Sequence, residues 1–156
     1  MTADQRPPGG GRTVEAGAGA VRARRRAIRW LFLLSPLVVP WVVIRTGETT
    51  LLFPWGTLVV ESGQLTPIWT FLDQPGPTPE HIARWPLGAA CYAFALCWAA
   101  TARFGADQRV TAGLFVLVAI VVATVSSGFG VDPNRTALPL GSVHALGLAA
   151  WVYLGD

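Results

Sequence analysis

Between Val110 and Phe129 the chain carries no charged side chain, and this unbroken apolar run limits the possible folds more than any other feature. About 20 apolar residues, rising 1.5 Å each in a helix, match the ~30 Å hydrocarbon core of a bilayer. Ile28 to Ile44, Trp85 to Ala102 and Thr136 to Leu154 are comparably apolar. Hydrophobic residues make up 52% of the chain and charged ones 13%, whereas a soluble domain carries about a quarter charged residues. So little polar surface cannot cover a water-soluble globule of this size. The reading is all-α: one domain over 28–156, an integral membrane bundle of four transmembrane helices with spans at about 28–44, 85–102, 110–129 and 136–154.

Proline and glycine punctuate the rest. In the first span Pro36 and Pro40 each remove a helical hydrogen bond and predict a kink. Trp30 and Trp41 are placed to anchor its two ends. An outer loop follows over 45–84. Within it Thr49 to Val60 is apolar but interrupted by Pro54 and Gly56, too short to cross a membrane, and reads as a re-entrant or interfacial segment. Residues 1–27, with Pro7-Pro8 followed by glycines and scattered arginines, cannot bury a core and read as a disordered cytoplasmic tail.

Charge sets the expected orientation. All twelve basic residues are Arg, and seven of them lie at or before Arg29. Arg22, Arg24, Arg25, Arg26 and Arg29 directly precede the first apolar run, as the positive-inside rule requires of a cytoplasmic flank, and they suit contact with anionic lipid headgroups. The same rule returns the turn bearing Arg103 and Arg109 to the inside. The expectation is a multi-pass protein of the cell membrane with amino and carboxyl termini cytoplasmic and an uncleaved first segment. A topology signal accounts for this basic cluster better than a nucleic-acid-binding arm does.

Small residues at four-residue spacing mark the faces on which membrane helices approach closely. Ala137, Gly141, Ala145 and Ala149 form such a stripe in the fourth span, read as a helix-packing seam. His144 is the ionisable side chain set deepest in a span and falls within about 60° of Gly141 at 100° per residue. A polar residue at that depth is a candidate for function, as a proton relay, ligand or substrate contact; the plainer alternative is a neutral histidine hydrogen-bonded to a neighbouring helix. Cys91 and Cys97, six apart on a helix, point about 120° away from each other and do not suit a shared metal or an internal disulfide. Phosphate-loop, G-x-S-x-G, H-E-x-x-H and C-x-x-C patterns are absent, so no catalytic, cofactor or metal-binding residue is assigned.

The runs Thr50-Leu51-Leu52-Phe53-Pro54-Trp55-Gly56, Ala83-Arg84-Trp85-Pro86, Arg109-Val110-Thr111-Ala112-Gly113-Leu114 and Arg135-Thr136-Ala137-Leu138-Pro139-Leu140-Gly141 resemble a family of small haloarchaeal multi-pass membrane proteins with no assigned function. The resemblance covers about Ile28 to Leu154, implies a multi-pass membrane protein and carries over no catalytic residue. The functional expectation is a non-enzymatic accessory or scaffold subunit of a membrane complex, partnered by lipids and by another membrane protein or itself, with no cofactor and no nucleic acid. The alternative is a small carrier, channel or membrane-bound enzyme built around His144.

Overall fold

The computed structural model of the protein describes residues 11–73, 76, 79–131 and 133–155. The chain divides into two units, Met1–Leu33 and Leu34–Asp156. Helix α1 (Gly11–Leu34) makes up the described part of the first. Along it Arg22, Arg24, Arg25 and Arg26 are exposed and Arg29 is half-buried. The helix thus includes residues 11–27 of the expected tail, and residues 1–10 lie outside the described residues.

The second unit opens where the first apolar run stops being helical. Ser35–Leu37 form one 3-10 turn with Pro36 at its start, and past Pro40 the chain enters strand β1 (Val42–Thr46). Proline lacks the N–H a continuing helix needs, and the β-branched trio Val42-Val43-Ile44 is stiff at χ1 and suits a pleated surface. Strand β2 (Glu48–Phe53) folds back at once, with only Gly47 between the paired Thr46 and Glu48. Gly47 has φ +87°, a left-handed conformation that costs a glycine little. Pro54 and Trp55 turn the chain into β3 (Gly56–Val59), and β4 (Leu65–Pro67) completes the run. Both carboxylate oxygens of Glu61 accept the Thr49 N–H at 2.9 Å, which ties the β3–β4 turn to β2 and holds the Glu61 carboxyl below its usual pKa. Strand β5 (Thr136–Leu138) joins the free side of β1, giving a five-stranded antiparallel sheet in the order β4-β3-β2-β1-β5.

This sheet overturns the all-α bundle of four transmembrane helices. The 28–44 segment is helix only to Leu34 and then becomes a sheet strand; 49–60 is a β-hairpin and not a lone re-entrant or interfacial segment. The 136–154 segment gives its first residues to β5, and Pro139 separates them from the helix. Among the described residues one helix, Gln108–Phe129, is long and apolar enough to cross a membrane. The outer loop 45–84 carries most of the sheet together with two short helices, α2 (Ile68–Leu72) and α3 (Glu80–Ala83).

Three longer helices pack beside the sheet: α4 (Trp85–Ala100), α5 (Gln108–Phe129) and α6 (Leu140–Leu154). The Asp107 carboxylate caps α5 by accepting the Arg109 N–H at 2.8 Å. Helix α5 lies between the other two, presenting Phe115, Val118, Ala119 and Val122, all at most 3% exposed, to its neighbours. The Ser142 hydroxyl of α6 donates to the Ala119 carbonyl of α5 at 2.9 Å.

Sheet and helices meet at Trp41, which is 2% exposed. Its N–H donates to the Leu52 carbonyl at 2.6 Å, and its carbonyl accepts the Gly141 N–H at 2.8 Å. Its ring stands edge-on to Tyr92 of α4 at 6.2 Å. A Cβ at Gly141 would lie 2.6 Å from the Trp41 Cα, inside any real contact, and one at Gly88 would lie 3.0 Å from the indole ring. Gly141 therefore needs glycine for proximity alone, and at Gly88 the Trp41 and Val121 side chains would have to give way by a few tenths of an ångström.

Two outcomes follow. Gly141→Ala lowers stability by about 1–3 kcal/mol through overpacking, whereas Gly147→Ala on the same helix, with nothing within 4 Å, is neutral or raises it by up to ~1 kcal/mol; chemical unfolding of both variants checks this. Because the Glu61 pKa is lower folded than unfolded, its contribution is present above the unfolded value of about 4.5 and fades as pH falls through the folded value. The thermal midpoint of Glu61→Gln is then below wild type at neutral pH, and the gap closes in acid.

Candidate functional site

Strand alternation sends every second residue to the same sheet face. The register pairs Ile44 with Thr50 and Leu52 with Thr57, so these four and Thr46 share one face. Above it the chain encloses a cavity of about 200 Å³. Its far wall comes from Phe71 of α2, Ile82 of α3 and Trp85 of α4, with Val125 and Phe129 from the last turns of α5. Arg135, just before β5, completes the lining.

The far wall is held firmly. The Trp85 indole N–H donates to the Phe53 carbonyl at 2.9 Å, and Phe71 meets the Trp85 ring edge-on at 5.8 Å. His81 stands against Phe129 with ring centroids 4.8 Å apart, over Gly128, where any side chain would collide with the imidazole. The cavity is graded in polarity. Leu52, Thr57, Trp85 and Val125 are buried, while Thr46 and Arg135 are exposed. The inner part is therefore mostly apolar and the mouth carries a hydroxyl and a guanidinium.

The residues singled out from the sequence lie elsewhere. His144 is half-buried on α6, and its Nε2 is 2.7 Å from the Ser35 hydroxyl in the 3-10 turn. This pairing sets the histidine against the segment leading into the sheet and away from the cavity lining. Gly141, Ala145 and Ala149 are buried together on one face of α6 with Leu148 and Val152, whereas Ala137 sits in β5 opposite Ile44 and leaves the stripe. Arg22, Arg24, Arg25, Arg26 and Arg29 are all on α1. Among the described residues no three of His, Cys, Asp and Glu are grouped closely enough to hold a metal ion. Sequence reasoning passed over Thr46 and Thr57, and it met Thr50 and Arg135 only within the family-like runs, with Arg135 read as a solvated loop charge. The available signal was the same-face spacing of threonines within a β-branched stretch, which a search for long apolar runs does not see.

A second feature is the outer surface of the helices. On α4 the exposed positions include Leu87, Ala90, Ala93, Phe94 and Cys97; on α5 they include Gly113, Val116, Leu117, Ile120 and Ala123; on α6, Val143, Leu146, Gly147, Ala150 and Trp151. All are apolar or small. The hydroxyls on this part of α5 turn back into the helix, Thr124 to the Ile120 carbonyl at 2.9 Å and Ser127 to the Thr124 carbonyl at 2.8 Å.

The fold is thus a small α+β unit, with a sheet closing over one end of a three-helix layer and a cavity at the junction. The chain belongs to a family defined by a domain of unknown function (DUF8050), whose model matches residues 12–156. No curated protein matches the chain.

The Ser35–His144 contact yields a direct measurement. A double-mutant cycle with Ser35→Ala and His144→Phe gives a coupling of about 0.5–1.5 kcal/mol in unfolding free energy, as for an ordinary hydrogen bond; additive losses from the two substitutions would show that the contact contributes nothing.

Proposed function

We propose that the protein is a membrane-resident accessory subunit whose α4–α5–α6 layer lies in the bilayer and whose sheet sits at the aqueous boundary as a binding cap. The observation that carries this reading is the uniformly apolar outer face of the three helices. Monomeric soluble proteins rarely expose contiguous apolar patches beyond a few hundred Å². Here Leu87 and Phe94, Leu117 and Ile120, and Val143 and Leu146 are each at least 49% exposed, and no acidic or basic side chain interrupts them.

Length and polarity bear on the same point. Helix α5 extends ~33 Å at 1.5 Å per residue, enough to cross a hydrocarbon core. Helices α4 and α6, at ~24 and ~22 Å, are shorter; the 3-10 turn Thr101–Phe104 extends α4 at its far end. The inward bonds of Thr124 and Ser127 suit surroundings that offer no water to hydrogen-bond. Trp98, Trp151 and Tyr153 fall near the ends of α4 and α6 remote from the sheet, where aromatic anchors concentrate at an interface.

Orientation belongs to this proposal. The exposed arginines of α1 and the Arg103–Arg109 turn face the cytoplasm, and the termini do too. The likeness to small haloarchaeal membrane proteins is part of the same reading, and a basic complement made only of Arg is in keeping with it. A binding or scaffolding role is favoured over catalysis because neither the cavity nor the Ser35–His144 pair brings a nucleophile, an acid and a base together.

Site-directed labelling tests the membrane placement. In a background with Cys91 and Cys97 replaced by Ala, a cysteine introduced by Leu117→Cys stays unreactive toward a charged, membrane-impermeant maleimide in vesicles, while one introduced by Thr46→Cys on the sheet reacts. Equal labelling at both positions, or a full-length chain that remains soluble and monomeric without detergent, rules the proposal out.

A further inference from the structure

The inner part of the cavity beneath the sheet combines aromatic walls with a buried hydroxyl that has no hydrogen-bond partner among the described residues. We propose that it binds a small neutral aromatic molecule carrying one hydrogen-bonding group, of about the size of phenol. The residues that set this preference belong to β2, β3, the short helices and the sheet-side ends of α4 and α5, so it holds wherever the helices reside.

Size gives the first limit. An apolar cavity of about 150 Å³ accepts benzene, so about 200 Å³ leaves room for one ring and one polar substituent. The walls give the second. Phe71, Trp85 and Phe129 share the lining with Leu52, Ile82 and Val125. Trp85 offers only its ring, because its indole N–H is taken by the Phe53 carbonyl. An aromatic guest gains edge-to-face or offset contacts with such rings beyond the burial of its own area. A charged group set among these side chains would lose its hydration without recompense, so the guest is neutral.

Thr57 then specifies the hydrogen-bonding group. It lies on β3 opposite Leu52 and diagonal to Thr50 on the same sheet face, and both threonines line the cavity. Thr57 is only 7% exposed, yet its hydroxyl bonds to no other described residue. Buried polar side chains are normally hydrogen-bonded, and one left unpaired is costly. A threonine hydroxyl both donates and accepts, as a phenolic hydroxyl does, so the two complement each other without charge. Thr50, half-buried beside it, supplies a second hydroxyl. A hydrocarbon of the same size would fill the walls and leave Thr57 unpaired. Discrimination between a phenol and its hydrocarbon isostere is therefore built into β3, and discrimination by size into the packed far wall.

The test is binding of 4-fluorophenol and of fluorobenzene to the full chain in lipid nanodiscs, by fluorine NMR. Partition into empty nanodiscs is subtracted, and the measurement is repeated in plain buffer if the chain is soluble there. A phenol with a pKa of about 10 is neutral at pH 7. Saturable 4-fluorophenol binding is expected, with fluorobenzene weaker by about fivefold, as for one net hydrogen bond. Thr57→Val keeps the shape and removes the hydroxyl; it lowers 4-fluorophenol affinity by about fivefold and leaves fluorobenzene unchanged or tighter. Ile82→Phe, which fills the cavity from its wall, weakens both ligands, and a thermal midpoint no lower than wild type in each variant separates loss of the site from loss of the fold. Absence of saturable binding to the wild-type chain at millimolar 4-fluorophenol overturns the proposal, as does equal affinity for the two ligands or 4-fluorophenol binding indifferent to Thr57→Val. None of these results bears on the maleimide labelling of Leu117→Cys, so the two proposals fail separately.

Discussion

Trp41 is where two secondary-structure types become one fold. Its main chain belongs at once to the sheet, through the Leu52 carbonyl, and to the start of α6, through the Gly141 N–H. The side chain fills the space between α4 and α6 and reaches Gly88 and Tyr92. A backbone group buried without a partner is costly, so these bonds fix the position of the strand relative to the helices far more tightly than apolar contact alone. Gly141 is the complement of that choice: a large aromatic so close to the start of α6 requires a neighbour with no side chain, and Gly88 eases the fit of its ring.

From this junction the molecule divides its work. The sheet supplies register, placing Ile44, Thr50, Leu52 and Thr57 on one face, and the helices supply walls. The cavity lies where neither set of elements closes the gap completely. Its floor is stiffened by cross-strand hydrogen bonds and its far wall by the Trp85–Phe53 bond and the Phe71 and Phe129 aromatic contacts. The cavity is therefore shaped by contacts within the protein itself.

The legible part of the sequence was the part where composition and period agree. Residues 85–102 and 110–129 are apolar over lengths that suit helices, and α4 and α5 occupy Trp85–Ala100 and Gln108–Phe129. The first and last apolar runs misled because a short buried strand and a piece of helix have the same hydropathy. At Val42-Val43-Ile44 the discriminating features were β-branching and the preceding Pro40; at Thr136-Ala137-Leu138, the following Pro139. Thr49 to Val60 also held a two-residue turn at Pro54-Trp55 that marks a hairpin. The cavity was illegible for a different reason. Thr46, Thr57 and Arg135 come together only through strand pairing, and β5 lies some ninety residues from β1 along the chain, a separation that local pattern does not encode.

That long-range pairing has a consequence for how the molecule is made. Strands β1 to β4 are close in sequence and can zip up early, since short loops close at little entropic cost. The outer side of β1 then stays open, an unpaired edge of the kind that invites mispairing between chains, until helices α2 to α5 have been synthesised and α5 has brought Arg135 and Thr136 back. Docking of β5 seals that edge, and the two-residue link to Gly141 seats α6 against Trp41 in the same movement. Completion of the sheet and placement of the last helix are thus one event in biogenesis, and a nascent chain halted before residue 136 would be left with an adhesive flank.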